Sequence, residues 1–101
     1  DSQPHGVDAL RDGANLSLII VRNGPQFSVY LNQCPHQGRR LDYAPGQFLT
    51  KSGNIICAAH GASFNLASGL CEQGPCRGES LLKLPAEVID GRLQVDVSGV
   101  A

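Results

Sequence analysis

The sequence predicts an all-β domain, an antiparallel base with a smaller subdomain made of two loops. Three observations carry this. Apolar and β-branched runs are short and bounded by turn residues, helical periodicity is nearly absent, and Asp90-Gly91 lies between two such runs as strong two-residue hairpin chemistry. No internal repeat, low-complexity tract or linker interrupts the chain.

The elements follow in order. The N-terminal stretch is polar, and the one place where helix is expected is a turn near Val7 to Arg11. Leu16 to Arg22 and Phe27 to Asn32 are apolar runs separated by Asn23-Gly24-Pro25-Gln26, so they are expected to form a hairpin. Asn54 to Cys57, Ala62 to Asn65 and Gly69 to Cys71 give three short strands of a small sheet. Leu82 to Ile89 and Arg92 to Val97 make a second hairpin across Asp90-Gly91, and the ends of the chain are expected to pair with its beginning. Pro85 within one of these runs cannot donate to a ladder, which implies an edge position or a bulge.

At 101 residues the chain is expected to form one domain, spanning 1–101, small enough that a metal centre pinning two loops would help hold it. A formal net charge of −1 supplies no basic field for nucleic acid. The most apolar run, Leu16 to Val21, is broken by Ser17 and falls far short of the ~20 residues that cross a bilayer, so no membrane span is expected. The chain opens on Asp1, and its first residues lack the basic-then-apolar pattern of a secretory leader; the expected location is the cytoplasm.

Two segments carry chemistry. Cys34-Pro35-His36-Gln37-Gly38 and Cys57-Ala58-Ala59-His60-Gly61 each supply one thiolate and one imidazole, and the neighbouring Gly and Pro suit tight turns. Two such loops close a four-ligand site of two sulfurs and two nitrogens. That donor set suits a [2Fe-2S] cluster in which two histidines replace two cysteines. It also suits a structural Cys2His2 zinc site, although zinc more often uses wider His spacing. The same four residues could also be ordinary members of a small core.

The pattern C-x-H, a spacer, then C-x-x-H-G resembles the ligand signature of Rieske proteins. Phe64 falls in the H-G-x-x-F continuation and Gly69 at the turn expected after the second loop, so the resemblance covers about residues 16 to 97. It implies the Rieske fold, with a cluster-binding part at about 34–76. It also implies one [2Fe-2S] cluster per chain, with Cys34 and Cys57 on one iron and His36 and His60 on the other. The implied role is a soluble, ferredoxin-type one-electron carrier, not an enzyme in itself, passing electrons from a reductase to a terminal oxygenase or similar redox enzyme. Pro35, Gln37, Arg39, Ala59 and Gly61 would then line its docking surface. The small Rieske subunit of a nitrite reductase is the alternative within this family, and a structural zinc-bound interaction module the alternative outside it.

Departures from the family's respiratory members point to a low potential. Those proteins resemble C-P-C-H-G-S-x-Y in the second loop, where two hydroxyls donate to sulfur and so favour the more negative reduced state. This chain has Ala62 and Phe64 at those places, while Ser63 is offset by one residue and so turned to the other face of an extended segment. The respiratory disulfide between the two loops is also absent, since its positions hold Arg39 and Ala59. Arg39 and Arg40 act the other way, because positive charge favours the reduced cluster, although salt screens it at an exposed site.

Five further residues need placing. Cys71 and Cys76 flank Glu72-Gln73-Gly74-Pro75, tight enough for a disulfide; in a cytoplasmic protein glutathione keeps such pairs as thiols, and a redox sensor built on them is a further alternative. His5 lies in a polar stretch and is expected in solvent. With His36 and His60 in the cluster, it is the one spare histidine, too few for the two-histidine, one-carboxylate iron of an oxygenating subunit. Tyr30 and Tyr43 are expected as core or edge packing residues, with Tyr43 a candidate donor near the first loop.

Overall fold

A computed structural model describes residues 4–23, 25–35, 40–58, 61–74 and 76–98, and among these described residues there are ten strands, paired antiparallel, and no helix. Strands β1 (His5–Arg11), β2 (Ala14–Asn23), β3 (Gln26–Leu31) and β8 (Lys83–Leu84) form a base sheet in the order β1-β2-β3-β8. Strands β4 (Leu49–Lys51), β5 (Asn54–Ile56), β6 (Ser63–Asn65) and β7 (Cys71–Gln73) form a meander, and β9 (Ala86–Ile89) pairs with β10 (Arg92–Val95) as a separate hairpin.

The β2–β3 hairpin is where the two halves of the fold meet, and its sequence gives the reason. Leu18-Ile19-Ile20-Val21 is apolar at every position, as a strand covered on both faces must be. Ile19, Val21 and Tyr30 point to the meander side, into one core with Ile55, Phe64 and Leu66. Leu18, Ile20, Val29 and Leu31 point to the opposite side and pack with Leu84, Leu93 and Val95. One hairpin thus joins the meander to the C-terminal strands.

The expected all-β base with its smaller two-loop tip is present, with corrections at both chain ends. Residues Val7 to Arg11 are part of strand β1, not a helical turn. The signal was Asp12-Gly13, whose φ values of +51° and +80° make the two-residue turn that pairs Arg11 with Ala14. Strand β4 is an unforeseen element: all three of its residues are exposed, so no alternation marks it, and it returns through a similar turn at Ser52-Gly53. The last strand of the meander begins at Cys71 rather than Gly69, because Gly69 has φ +79° and sits in the preceding turn.

Pro85 does more than make an edge. The expected strand Leu82 to Ile89 divides there: β8 joins β3, while β9 leaves to pair with β10 across Asp90-Gly91. The freed carbonyl of Pro85 accepts from the Asp96 amide at 2.8 Å. Leu93, Val95 and Val97 therefore join Ala9 and Leu16 by packing on one shared cluster, Leu18, Val29 and Leu84, and among the described residues no ladder joins β10 to β1.

Tyr30 fixes the meander to the base. Its ring is buried, its hydroxyl donates to the Leu66 carbonyl at 3.0 Å, and a Cβ on Gly69 would stand 2.7 Å from its Cε1 atom. Gly69→Ala should therefore combine a left-handed backbone penalty of ~1–2 kcal/mol with an overpacking cost of ~1–3 kcal/mol. Gly53→Ala, at φ +81° with nothing within 4 Å of the new Cβ, should show the backbone part alone. Denaturant unfolding of the two variants measures the difference; equal losses would mean that the Tyr30 contact yields freely.

Candidate metal centre

The first loop leaves β3 through Asn32, whose side chain does the work of a backbone segment. Its Oδ1 accepts from the Leu41 amide at 2.8 Å and its Nδ2 donates to Ser17 Oγ at 3.2 Å, while its own amide donates to the Ser17 carbonyl at 2.9 Å. Entry and exit of the loop are thereby tied to each other and to β2 by one buried amide. Beyond Leu41, Asp42 receives both Arg40 Nε at 2.9 Å and Arg40 Nη2 at 2.7 Å, and the Gly46 amide at 3.2 Å. The Asp42 side chain is 3% exposed and that of Arg40 50%. The Arg40 hydrogen bond, helped by the Gly46 amide, holds the Asp42 carboxyl below its ordinary value despite burial.

The second loop is a tighter turn that starts directly after β5. The Cys57 amide donates to the Ala62 carbonyl at 2.7 Å and the Gly61 amide to the Cys57 carbonyl at 2.8 Å. The two loops are joined by the Ala58 amide, which donates to the Leu41 carbonyl at 3.2 Å.

The outcome is two thiols, Cys34 and Cys57, each 0% exposed, in one core with Leu41, Ala62 and Phe64. Burying a thiol in a small core is unremarkable, but two of them at the mouths of two joined loops is a soft-donor set. Ser63, between Ala62 and Phe64, faces the other way: its Oγ accepts from Asn54 Nδ2 at 2.8 Å, a group that also donates to Glu72. The one-residue offset anticipated for Ser63 is thus real, and its hydroxyl is engaged outside the core. Arg40 is likewise committed to Asp42, so its charge is largely neutralised.

His36 and His60, and with them Gln37, Gly38, Arg39 and Ala59, lie outside the described residues. Among the described residues no three His, Cys, Asp or Glu side chains form a metal-binding group. Pro35 is half-buried and Gly61 exposed. Tyr43, a candidate donor by its position, is 58% exposed and belongs to the surface, whereas Tyr30 is in the core and His5 is exposed as expected. Cys71 and Cys76 are buried, and the Cys76 thiol donates to Cys71 Sγ at 3.0 Å. Burial, and then the thiols of Cys71 and Cys34 beside it, push Cys76 up to about 12. Asn32 and Asp42 were not legible as site residues; a polar residue after an apolar run and an Arg-x-Asp triplet are too common to mark a loop anchor.

Two buried thiols under joined loops, on an antiparallel β base, give a small all-β protein a pair of soft donors of the kind that can hold a metal. The chain belongs to the Rieske [2Fe-2S] family, whose domain model matches residues 2–93. Its cofactor is accordingly a [2Fe-2S] cluster, one per chain, which the soft pair Cys34 and Cys57 fits, and the structural zinc alternative is set aside. A chain in the complex of reduced oxygenase and oxidized ferredoxin in carbazole 1,9a-dioxygenase is 29% identical, with 95% of this chain and 93% of that one covered and a TM-score of 0.66. Sphingomonas yanoikuyae B1 ferredoxin shares the fold at 24% identity, covering 95% and 86% of the two chains, with a TM-score of 0.68. The ferredoxin of carbazole 1,9a-dioxygenase from Nocardioides aromaticivorans IC177 does so at 24% identity, 93% and 86% coverage and a TM-score of 0.65. Comparison with curated proteins gives no match. No helix among the described residues is long and apolar enough to cross a membrane.

The Asp42 anchor has a pH signature. A carboxyl held below its ordinary value of 3.8 stabilises the fold fully above that value, and the contribution is lost as pH falls through the lowered value. Asp42→Asn should therefore be less stable than the parent by a constant amount near neutrality, with the gap closing below about pH 4. Unfolding curves across pH 3 to 7 would read this; a gap that persists undiminished at the acid end would show that the ion pair is not its source.

Proposed function

We propose that Cys34, His36, Cys57 and His60 ligate the cluster, the cysteines on one iron and the histidines on the other, and that the chain is a one-electron carrier rather than a catalyst. The observation that carries this is the complete burial of Cys34 and Cys57 at the mouths of two loops joined through Ala58 and Leu41, each loop continuing into a histidine of the C-x-H or C-x-x-H pattern. When bound, the cluster supplies a one-electron couple, for this ligand class within roughly −150 to +300 mV.

The chain's own residues set the conditions for that couple. Leu41 and Phe64 keep water from the thiols, and Asn32 and Asp42 hold the first loop in place without adding net charge of their own beyond the Arg40 pair. Ala62 and Phe64 present no hydroxyl on the thiol side and Ser63 is turned away, which supports a potential in the lower part of the range. The partner reading is a reductase as donor and a terminal oxygenase as acceptor, reached in the cytoplasm. It is supported by the likeness to a chain from a complex that pairs oxygenase with ferredoxin.

Protein produced with adequate iron should contain two irons and two acid-labile sulfides per chain, in keeping with a [2Fe-2S] centre. His36→Ala and His60→Ala should each lose the Rieske absorption and electron paramagnetic resonance signals. Retention of both signals in either variant would refute the ligand assignment. Electron passage is checked by mixing the oxidised protein with a reductase of an aromatic-ring oxygenase system and following bleaching of its visible bands.

The pair Ala62→Ser with Phe64→Tyr should raise the midpoint potential, because it sets two hydroxyl donors on the face that carries the thiols, and donors favour the more negative reduced form. Protein-film voltammetry of a folded, iron-replete variant would measure it. An unchanged potential would mean that these side chains do not govern the couple.

A further inference from the structure

Cys71 and Cys76 lie outside the ligand set proposed above, although Cys34 stands beside Cys76, and the fold brings the two into contact with each other. Cys71 opens β7, and the chain then folds back on itself: the Cys71 amide donates to the Glu79 carbonyl at 2.7 Å and the Gly78 amide to the Cys71 carbonyl at 3.1 Å. Arg77 and Glu79 close the return with bonds to Gly74 and Cys76 at 3.2 and 2.9 Å. Within this turn the Cys76 thiol donates to Cys71 Sγ at 3.0 Å and the Cys71 thiol to the Gln73 carbonyl at 3.2 Å. The sulfurs need to approach by about one ångström to reach the ~2.05 Å of a disulfide bond.

We propose that Cys71 and Cys76 are a dithiol–disulfide couple that exchanges with small-molecule disulfides of the glutathione type. One cysteine thiolate attacks a sulfur of the small disulfide, giving a mixed disulfide and releasing one small thiol. The second cysteine, already in contact, attacks the protein-side sulfur and releases the other. Two electrons pass from the pair to the small disulfide, and the two thiol protons leave the protein with the released thiols or to solvent.

Access and consequence both follow from the turn. The thiols are 1% exposed, so exchange requires local opening and is slower than at a surface thiol. Once formed, the bond is sheltered in the same way. Gly74 packs directly on the second loop, since a Cβ there would stand 2.8 Å from the Ala62 Cα atom. Oxidation therefore stiffens the segment on which the Cys57 turn rests; this consequence rests on the cluster reading, while the couple itself does not.

The test is to incubate the iron-loaded protein over a series of oxidised-to-reduced glutathione ratios, quench with acid, alkylate and map the cysteines by fragmentation mass spectrometry. The expected result is one transition in which Cys71 and Cys76 become resistant to alkylation together, with a mass lower by two hydrogens, and which is absent in Cys71→Ser. Both cysteines staying alkylatable in oxidised glutathione alone, after a time that oxidises the denatured chain, would overturn the proposal. So would a bond to Cys34 or Cys57 in place of the pair. The Cys71→Ser/Cys76→Ser variant should keep its iron and sulfide content; its loss would make the pair ligands and also sink the proposal. Wild-type protein lacking iron would instead count against the cluster reading, so the two failures are distinguishable.

Discussion

The constraint on which this structure depends is the need to bury two thiols beneath backbone that is neither helix nor sheet. Loop backbone has no ladder to satisfy its amides and carbonyls, and leaving such groups unpaired in a core is costly. The protein answers with borrowed acceptors. Asn32 supplies one to Leu41, Asp42 another to Gly46, and the Leu41 carbonyl takes the Ala58 amide from the opposite loop. Leu41 is the meeting point, its amide held by the base and its carbonyl holding the second loop. Among the described residues no buried side-chain nitrogen or oxygen lacks a partner.

The rest of the fold delivers these groups to one place. The β2–β3 hairpin is apolar on both faces, so it can serve the thiol core and the C-terminal strands at once. The bulge between Ser63 and Phe64 lets β6 and β7 stay paired while Phe64 and Cys71 both turn inward. That inward turn fixes the chemistry around the thiols: Ala62 and Phe64 line the core, and the Ser63 hydroxyl is left to Asn54 on the outer side.

What could be read from the sequence was whatever local chemistry decides. The Asp90-Gly91 turn and the interruption at Pro85 are properties of a few adjacent residues, and each appears where expected, while the cysteines of the C-x-H and C-x-x-H-G segments are buried. The N-terminal strand was misjudged because Val7 to Arg11 contains too few apolar residues to show its period, and its register is set by Asp12-Gly13 and by pairing along β2. Strand β4 was invisible because it is exposed throughout and exists by virtue of its partner β5. The loop anchors were hidden for a similar reason: Asn32 acts on Leu41 and Ser17, and neither partner is next to it in the chain.

The Tyr30 contact bears on how separable the two halves of the molecule are. Its ring belongs to the base strand β3, while its hydroxyl bonds Leu66 and its ring lies close against Gly69 of the meander. The loops and meander are thus not a cassette that can be transplanted onto another β scaffold. A graft of residues 34–81 alone would carry an uncovered Phe64–Ile55 surface and an unclaimed Leu66 carbonyl, and the recipient would have to present an aromatic residue with a hydroxyl at the position of Tyr30.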